Sequence, residues 1–297
     1  MKEILEKTPG EKERRITKSQ PEYPDRLRRL PGMPDTLYVR GRLPEEGQMT
    51  IGIVGARRCS GYGRHVAREY ARIFSSYGVQ VISGMAAGID GGSHRGALQE
   101  STPTFAVLGC GTDVCYPRDN RDLFEKIPLR GGLISEYPAG SPPAGWHFPA
   151  RNRIISGLSD ALLVVEARKK SGSLITVDCA LEQGKTVFSV PGRVTDTLSE
   201  GCNSLISQGA AIALSPEMVL NELGMDTYSK KGNGKKKNLG LARDLDLVYS
   251  CIGFKPTDHG TLIRQSGLLP GQVLSILTEL QVMGLVEEVG KNCYIRV

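Results

Sequence analysis

Long apolar runs are absent from this chain of 297 residues. No segment reaches the roughly 18 consecutive apolar residues that a membrane-spanning helix needs. The N-terminus, Met1 to Lys7, is too acidic and has too few apolar residues for a secretory signal peptide. These absences predict a cytoplasmic protein that does not associate with a membrane.

Paired cysteines and metal-ligand spacings are also missing. The seven cysteines are odd in number and scattered, and no Cys-x-x-Cys occurs, so neither a disulfide framework nor a zinc site is indicated. The four histidines show no metal-ligand spacing, and neither a Gly-x-Ser-x-Gly elbow nor a Cys/His pairing stands out. We therefore predict no metal site and no catalytic residues.

Two common nucleotide-binding motifs are present only in incomplete form. The glycine pair at 61–63 is followed by Val66, where a dinucleotide-binding Gly-x-Gly-x-x-Gly needs its last glycine. The segment 184–186 resembles the end of a P-loop, but Cys179 replaces the first glycine and the lysine precedes a strand. We therefore expect no cofactor and no ATP hydrolysis.

The positive charge of the chain is concentrated in two segments. The net charge is +6, yet residues 1–30 carry nine Lys/Arg against six Asp/Glu, and residues 225–240 carry five against one. Charged, flexible ends are more often solvated than ligand-binding. If the central part of the chain binds an anion, local geometry must supply the site.

Short apolar runs alternate with amphipathic stretches from Met49 onward. This order predicts an α/β fold with right-handed crossovers, in which helices cover both faces of a parallel sheet. Three helical patterns and a terminal hairpin around 290–291 predict a winged helix. The predicted organisation is an N-terminal basic tail and lead-in segment at 1–44, a Rossmann-like doubly wound parallel sheet at 45–224, a flexible basic linker at 225–240, and a small C-terminal winged-helix domain at 241–297.

The would-be recognition helix of the winged helix, Pro270 to Met283, contains Glu279 and no lysine or arginine. A helix that binds in the major groove normally carries basic residues for the phosphates. This composition favours a protein contact or weak DNA binding over base reading.

Three loops that follow predicted strands are rich in small residues, and the first and third of them also carry cations. In open α/β sheets such loops form the ligand crevice, where helix N-termini present free N–H groups. The three loops together predict an anion site whose candidate residues are Gly55, Arg57 and Arg58 after the first strand, Ser83 and Gly84 after the second, and Ser171 and Ser173 in the loop 166–176.

The segment 146–153 interleaves aromatic side chains with arginines. Single-stranded nucleic acids bind to such sites because bases stack on rings while guanidinium groups hold the backbone. The candidates here are Phe148, Arg151, Asn152 and Arg153. In the alternative interpretation, Trp146 and Phe148 are core anchors and the arginines pair with Glu136 or Asp160.

Taken in order, these motifs resemble the DNA-processing protein family DprA, also called Smf. The resemblance spans about residues 23–214 and rests on many ordered motifs. They include Val54-Gly55-Ala56-Arg57, Ser83-Gly84-Met85-Ala86-Ala87-Gly88-Ile89-Asp90, Ser135-Glu136-Tyr137-Pro138, Phe148-Pro149-Ala150-Arg151-Asn152-Arg153, Ser171-Gly172-Ser173-Leu174-Ile175-Thr176 and Val190-Pro191-Gly192.

The resemblance implies a non-enzymatic single-stranded DNA-binding mediator, which protects incoming DNA and loads the RecA recombinase onto it during natural transformation. It also implies a homodimer, which we assign to the region 203–211 with Leu205 and Ile206 as contacts. Ala56 departs from the family pattern, because serine is common at this position.

An enzyme is the alternative. The predicted core also looks like the wider superfamily that includes nucleoside-monophosphate phosphoribohydrolases, with Glu136 or Glu166 as the acid/base. Against it, the chain lacks a Pro-Gly-Gly-x-Gly-Thr motif.

Overall fold

Strands and helices alternate along most of the chain, as the hydrophobic pattern predicts. The computed structural model describes residues 12–227, 243–253 and 256–296, and these form two units that divide after Thr227. The first unit contains a nine-stranded sheet with the order β1-β2-β6-β5-β4-β3-β7-β8-β9. Its strands are β1 (Arg14–Thr17), β2 (Thr36–Gly41), β3 (Thr50–Val54), β4 (Gln80–Ser83), β5 (Thr104–Leu108), β6 (Gly132–Ser135), β7 (Ala161–Val164), β8 (Thr186–Ser189) and β9 (Ala211–Ile212).

Helices cover both faces of this sheet. They are α1 (Asp25–Arg28), α2 (Gly61–Ser76), α3 (Ile89–Ala97), α4 (Arg121–Arg130), α5 (His147–Leu158), α6 (Ser173–Glu182), α7 (Glu200–Ser207) and α8 (Pro216–Glu222). One apolar cluster joins the sheet to α1, α5, α6 and α7, and a second joins the opposite face to α2, α3 and α8. The central strands are buried on both sides, which explains their continuous apolar sequence. The predicted Rossmann-like doubly wound architecture is confirmed.

The segment before residue 45 contributes two strands to the sheet, which the hydrophobic pattern did not predict. β1 pairs with β2, and β2 pairs with β6, both antiparallel. Leu37 and Val39 of β2 are fully buried, while the residues between and beside them are only partly so. This alternation is typical of a strand that buries one face. The sheet is therefore mostly parallel, with two antiparallel strands at one edge.

The chain direction places a crevice between β3 and β7. From β3 the chain builds β4, β5 and β6 on one side, and it then returns to build β7, β8 and β9 on the other. Loops that leave neighbouring strands toward opposite sides open a gap at the carboxyl ends of those strands. The loop after β3 and the loop after β7 border this gap.

The second unit is a winged helix, as predicted. It consists of α9 (Arg243–Cys251), β10 (Thr257–Asp258), α10 (His259–Ser266), α11 (Pro270–Val282), β11 (Val286–Gly290) and β12 (Cys293–Arg296). β11 and β12 form the terminal hairpin, and its three-stranded sheet has the order β10-β12-β11. Leu262 and Leu277 lie at the centre of its apolar core.

Parts of two predicted segments lie outside the described residues, namely 1–11 of the basic tail and 228–240 of the linker. At the start of the predicted linker, Thr227 is buried and donates hydrogen bonds to Asn221. In the described part of the chain, no helix is both long and apolar enough to cross a membrane.

Candidate nucleic-acid interface

A basic cavity of about 700 Å³ lies at the carboxyl ends of β3 and β7. Its volume is typical of small-molecule sites, which range from about 300 to 1,000 Å³. The walls come from the loops after β3 and β7, the loop before α5, and the first two turns of α5. Eight of the eleven predicted binding residues line it, and these are Gly55, Arg57, Arg58, Phe148, Arg151, Asn152, Ser171 and Ser173.

Four cations surround the mouth of the cavity. Arg57 and Arg58 come from the loop after β3, and Arg168 and Lys170 come from the loop after β7. All four side chains are exposed, so they remain free to meet an anion. Arg168 and Lys170 were not among the predicted site residues. The Arg-Lys-Lys run at 168–170 was the signal that could have identified them.

An aromatic ring forms one wall of the cavity beside these cations. Phe148, in the first turn of α5, is half-buried, and the Arg57 guanidinium lies 5.0 Å from the centre of its ring. Tyr116 packs on the same ring at 5.5 Å with a tilt of 31°. Trp146 lies outside the cavity lining and is 68% exposed, with its ring edge against Tyr137 and His147. The interpretation of Trp146 as a core anchor is therefore wrong.

Arg151 lies at the floor of the cavity, where its side chain is almost fully buried. Its Nη1 donates to the carbonyl oxygens of Gly84 and Val107, and its Nε donates to Asn152 Oδ1. Burial lowers the pKa of Arg151 to about 10, which still leaves the guanidinium charged at neutral pH. The floor therefore carries a fixed positive charge that also holds two strand ends together.

Ser83 and Gly84 lie behind the cavity wall. Ser83 Oγ donates to the carbonyl of Ile53 at 2.6 Å, which joins β4 to β3. A Cβ atom at Gly84 would overlap the guanidinium of Arg151. Glycine is thus required for the close approach of Arg151 to the loop. Both residues support the floor without lining the cavity.

Arg153 also lies outside the cavity lining. Its guanidinium forms a two-point ion pair with Glu136, at 2.7 and 3.0 Å, and its Nε donates to the carbonyl of Gly32 at 2.8 Å. This is the pairing that the alternative interpretation predicts for one of the arginines. Asp160 instead pairs with Arg26 at 3.0 Å.

Among the helix N-termini beside the cavity, those of α2 and α6 differ in what they bind. At the N-terminus of α2, the Glu166 carboxylate accepts hydrogen bonds from the N–H of Ser60 at 2.9 Å and from its hydroxyl at 2.5 Å. The N-terminus of α6 lines the cavity, and the Ser171 and Ser173 hydroxyls lie 2.8 Å apart beside it. Free N–H groups at a helix start favour anions. Of these two ends, that of α6 has no carboxylate from the described residues bound to it, and its first two N–H groups donate to Ser171.

The remaining candidate residues lie elsewhere. On α7, Leu205 is half-buried against the core, and Ile206 is partly exposed beside it. Among the described residues, no group of three or more His, Cys, Asp or Glu side chains could hold a metal ion.

The fold and the cavity define a Rossmann-type α/β protein with a basic cavity at its topological switch point and a winged helix at its C-terminus. A family model described as "DNA recombination-mediator protein A" matches residues 14–224, and one described as "DprA winged helix domain" matches residues 236–290. The chain belongs to the DprA/Smf family of DNA-processing proteins, which confirms the resemblance found in the sequence.

Curated relatives and solved structures agree with this assignment. The chain is 43% identical to Protein Smf of Escherichia coli K12, over 90% of this chain and 73% of the relative. It is 40% identical to DNA processing protein DprA of Streptococcus pneumoniae, over 67% and 71%. The structure of the S. pneumoniae protein matches with a TM-score of 0.68 at 38% identity, over 72% of this chain and 75% of that one.

A second solved structure is that of DNA processing protein A from Helicobacter pylori. It matches with a TM-score of 0.64 at 27% identity and covers 71% of this chain and 95% of that one. The published description of that structure concerns a single-stranded DNA binding mode of the H. pylori protein.

Proposed function

We propose that this protein binds single-stranded DNA in the basic cavity, protects it, and loads the RecA recombinase onto it during natural transformation. The observation that carries the proposal is the meeting of Arg57 and Phe148 at the cavity wall. A cation beside an aromatic ring suits a nucleotide, because the cation can bind the phosphate while the base stacks on the ring. The family membership and the single-stranded DNA binding of the H. pylori relative support it.

The cavity favours binding over catalysis. Of the acids considered as catalytic, Glu136 is paired with Arg153, and Glu166 is bonded to Ser60. Among the described residues that line the cavity, Asp90 is the only carboxylate, and the lining includes no histidine or cysteine. A phosphoribohydrolase needs an acid/base beside the sugar. Incubation with nucleoside monophosphates should therefore release no free base, and release of base would favour the enzyme.

The assembly and the partners of the protein belong to the same proposal. We expect a cytoplasmic homodimer that contacts RecA, with the dimer surface near Leu205 and Ile206 of α7. Because Leu205 packs partly on the core of its own chain, Ile206 is the more available of the two. Light scattering at micromolar concentration should give twice the mass of one chain, and a monomer would contradict the dimer.

An oligonucleotide titration tests the DNA-binding part. Fluorescence anisotropy is measured for a labelled single strand and for its duplex at several salt concentrations. We expect tighter binding to the single strand, because the ring of Phe148 needs an unstacked base. The slope of log K against log salt should be about −0.7 for each phosphate contacted. Equal affinity for both forms would contradict the proposed site.

The RecA part needs a separate measurement. RecA filament formation is followed on a single strand that is already covered by a single-strand-binding protein, with and without the protein described here. We expect the protein to shorten the lag before filaments form. No change in the lag, in the presence of measured DNA binding, would leave DNA binding intact and remove the loading role.

A further inference from the structure

The floor of the basic cavity contains an acidic side chain, Asp90, at the second position of α3. Its side chain is 94% buried by the fold, since only 6% of the residue is exposed, and it lines the cavity. A carboxylate at this place opposes the binding of a phosphate, because two anions repel each other more strongly where water is excluded. The floor therefore suits a part of the ligand other than its phosphate.

The two oxygens of Asp90 have different surroundings. Oδ2 accepts hydrogen bonds from the N–H groups of Gly84 and Ala86, at 3.1 and 3.3 Å. Oδ1 accepts none from any residue in the described ranges 12–227, 243–253 and 256–296. This oxygen is reached from the cavity, and a ligand that supplies a donor there forms a charge-assisted hydrogen bond in place of one to water. Oδ1 is thus an acceptor that is open to a ligand.

Two donors at the floor are equally open. Asn152 accepts from Arg151 through its Oδ1, while its Nδ2 bonds to none of the described residues. Arg151 uses Nε and Nη1, and its Nη2 has no acceptor in the same set. The floor therefore combines an acceptor with donors on neighbouring side chains. The polar edge of a nucleobase has this mixed character, whereas a phosphate offers acceptors only.

Burial raises the pKa of the Asp90 carboxyl, and the charges of Arg151 and Arg57 act against that rise. In its ionised form the carboxylate accepts from a neutral donor and repels a further anion. The cations at the mouth and the acid at the floor therefore divide the cavity, with the phosphate of a nucleotide outside and its base inside. Phe148, which lines the cavity beside Arg57, supplies the stacking surface.

We propose that Asp90 recognises a nucleobase in the cavity by accepting a hydrogen bond from an exocyclic amino group. Carboxylates accept from the N4 amino group of cytosine in this way. Uracil and thymine carry a carbonyl oxygen at the same position, which the carboxylate repels. Strands of cytosine should thus bind more tightly than strands of uracil. The inference rests on the proposed single-stranded DNA binding and adds a preference among bases.

The experiment compares oligomers of deoxycytidine and deoxyuridine at pH 8. The two have the same length and backbone charge, and they differ at the base only in the groups at positions 3 and 4. We expect the cytidine oligomer to bind about tenfold to a hundredfold more tightly, the effect of one hydrogen bond to a charged group. An oligomer of pyrimidin-2-one, which has hydrogen in place of the amino group, should lose this advantage.

The variant Asp90→Asn provides the sharpest test. The N–H groups of Gly84 and Ala86 require an acceptor, so the amide oxygen should face them and its NH2 group should face the cavity. That group donates to the uracil carbonyl, and the preference for cytidine should disappear or reverse. Asp122→Asn is the matched control, since it removes the same charge at a surface ion pair with Arg95. It should keep the wild-type ratio.

The outcomes separate the two proposals. If both oligomers bind with a normal salt slope and equal affinity, base recognition is overturned and DNA binding stands. If the Asp90→Asn variant keeps the cytidine preference, the assignment to Asp90 is overturned. If neither oligomer binds, both proposals fail. Because the wild-type comparison with pyrimidin-2-one needs no variant, base recognition stays testable even if Asp90→Asn does not fold.

Discussion

The guanidinium of Arg57 lies over the ring of Phe148, 5.0 Å from its centre. The first residue follows β3 and the second lies in the first turn of α5, so the contact joins two elements that are 91 positions apart in the sequence. Cation–π pairs at exposed sites contribute about 0.5–1 kcal/mol. The contact holds a long, exposed side chain at the cavity wall. The cavity wall therefore presents a cation and an aromatic ring at one place.

Replacement of Arg57 should weaken DNA binding for every base sequence. Arg57→Gln removes a charge that faces the cavity, and the salt slope should become shallower by about 0.7 if one phosphate contact is lost. Arg153→Gln is the matched control, because that guanidinium is engaged with Glu136 outside the cavity lining. Anisotropy titrations at three salt concentrations measure both. An unchanged slope for Arg57→Gln would remove the loop after β3 from the site.

The two aromatic residues at the start of α5 should differ in their effect. Phe148→Ala removes a ring from the cavity wall and should cost about 1–3 kcal/mol of binding free energy, the usual value for one stacked base. Trp146→Ala removes a ring that lies outside the lining, so the affinity should change little. Both variants are titrated with the same oligonucleotide. A larger loss for Trp146→Ala would show that the strand follows another path.

Arg151 should contribute more to stability than its place in the cavity suggests. Arg151→Ala leaves the carbonyl groups of Gly84 and Val107 without this donor and removes the larger of the two arginine charges that act on Asp90. Breaking such a buried arrangement typically costs about 3–5 kcal/mol. Urea denaturation followed by circular dichroism measures the loss. Arg121→Ala, at an exposed helix ion pair, is the control and should stay within about 0.5 kcal/mol of wild type.

His94 should make the fold sensitive to mild acid. The residue is fully buried, its Nδ1 bonds to Thr104, and burial lowers its pKa to about 3, with Arg95 and Arg151 adding to the effect. An unfolded histidine has a pKa of about 6.5, so below that pH the unfolded state takes up a proton that the folded state refuses. Protonation of this group does not reduce the free energy of unfolding well above pH 6.5. At pH 5 it lowers the free energy of unfolding by about 2 kcal/mol.

The measurement compares wild type with His94→Leu, which removes the titrating group. Urea denaturation at pH 5, 6 and 7 gives the free energy of unfolding for each. The substitution itself changes the stability at pH 7. The quantity to compare is therefore the slope of the free energy of unfolding against pH in each protein. Parallel slopes would show that His94 titrates in the folded state as it does in water.

The sequence predicted the parallel strands because their residues are buried on both sides, and such strands form unbroken apolar runs. Val39 and Leu37 belong to a strand that was not predicted, since it buries one face only and stands among charged residues. The alternation of apolar and polar positions in 36–40 was the available signal. Its pairing with β6, about 95 positions later, is a long-range contact that no local pattern specifies.

The site was predicted in part for a similar reason. Loop cations and serines could be recognised because the ends of parallel strands lie at one edge of the sheet. Arg151 and Arg153 looked equivalent in the sequence, yet two residues on a helix point about 200° apart. One guanidinium therefore enters the cavity floor, and the other reaches Glu136. Only the packing of α5 on the sheet decides which face of the helix is turned inward.

Glu166 gives the protein an anion of its own at the N-terminus of α2. In dinucleotide-binding folds that helix end holds the pyrophosphate. Here the position is already filled from within by that carboxylate. A pyrophosphate, as in ATP or NAD, therefore cannot bind at the end of α2 unless Glu166 moves away. The same carboxylate ties the start of α2 to the loop after β7, so the feature that closes the position to such cofactors also fixes one border of the cavity.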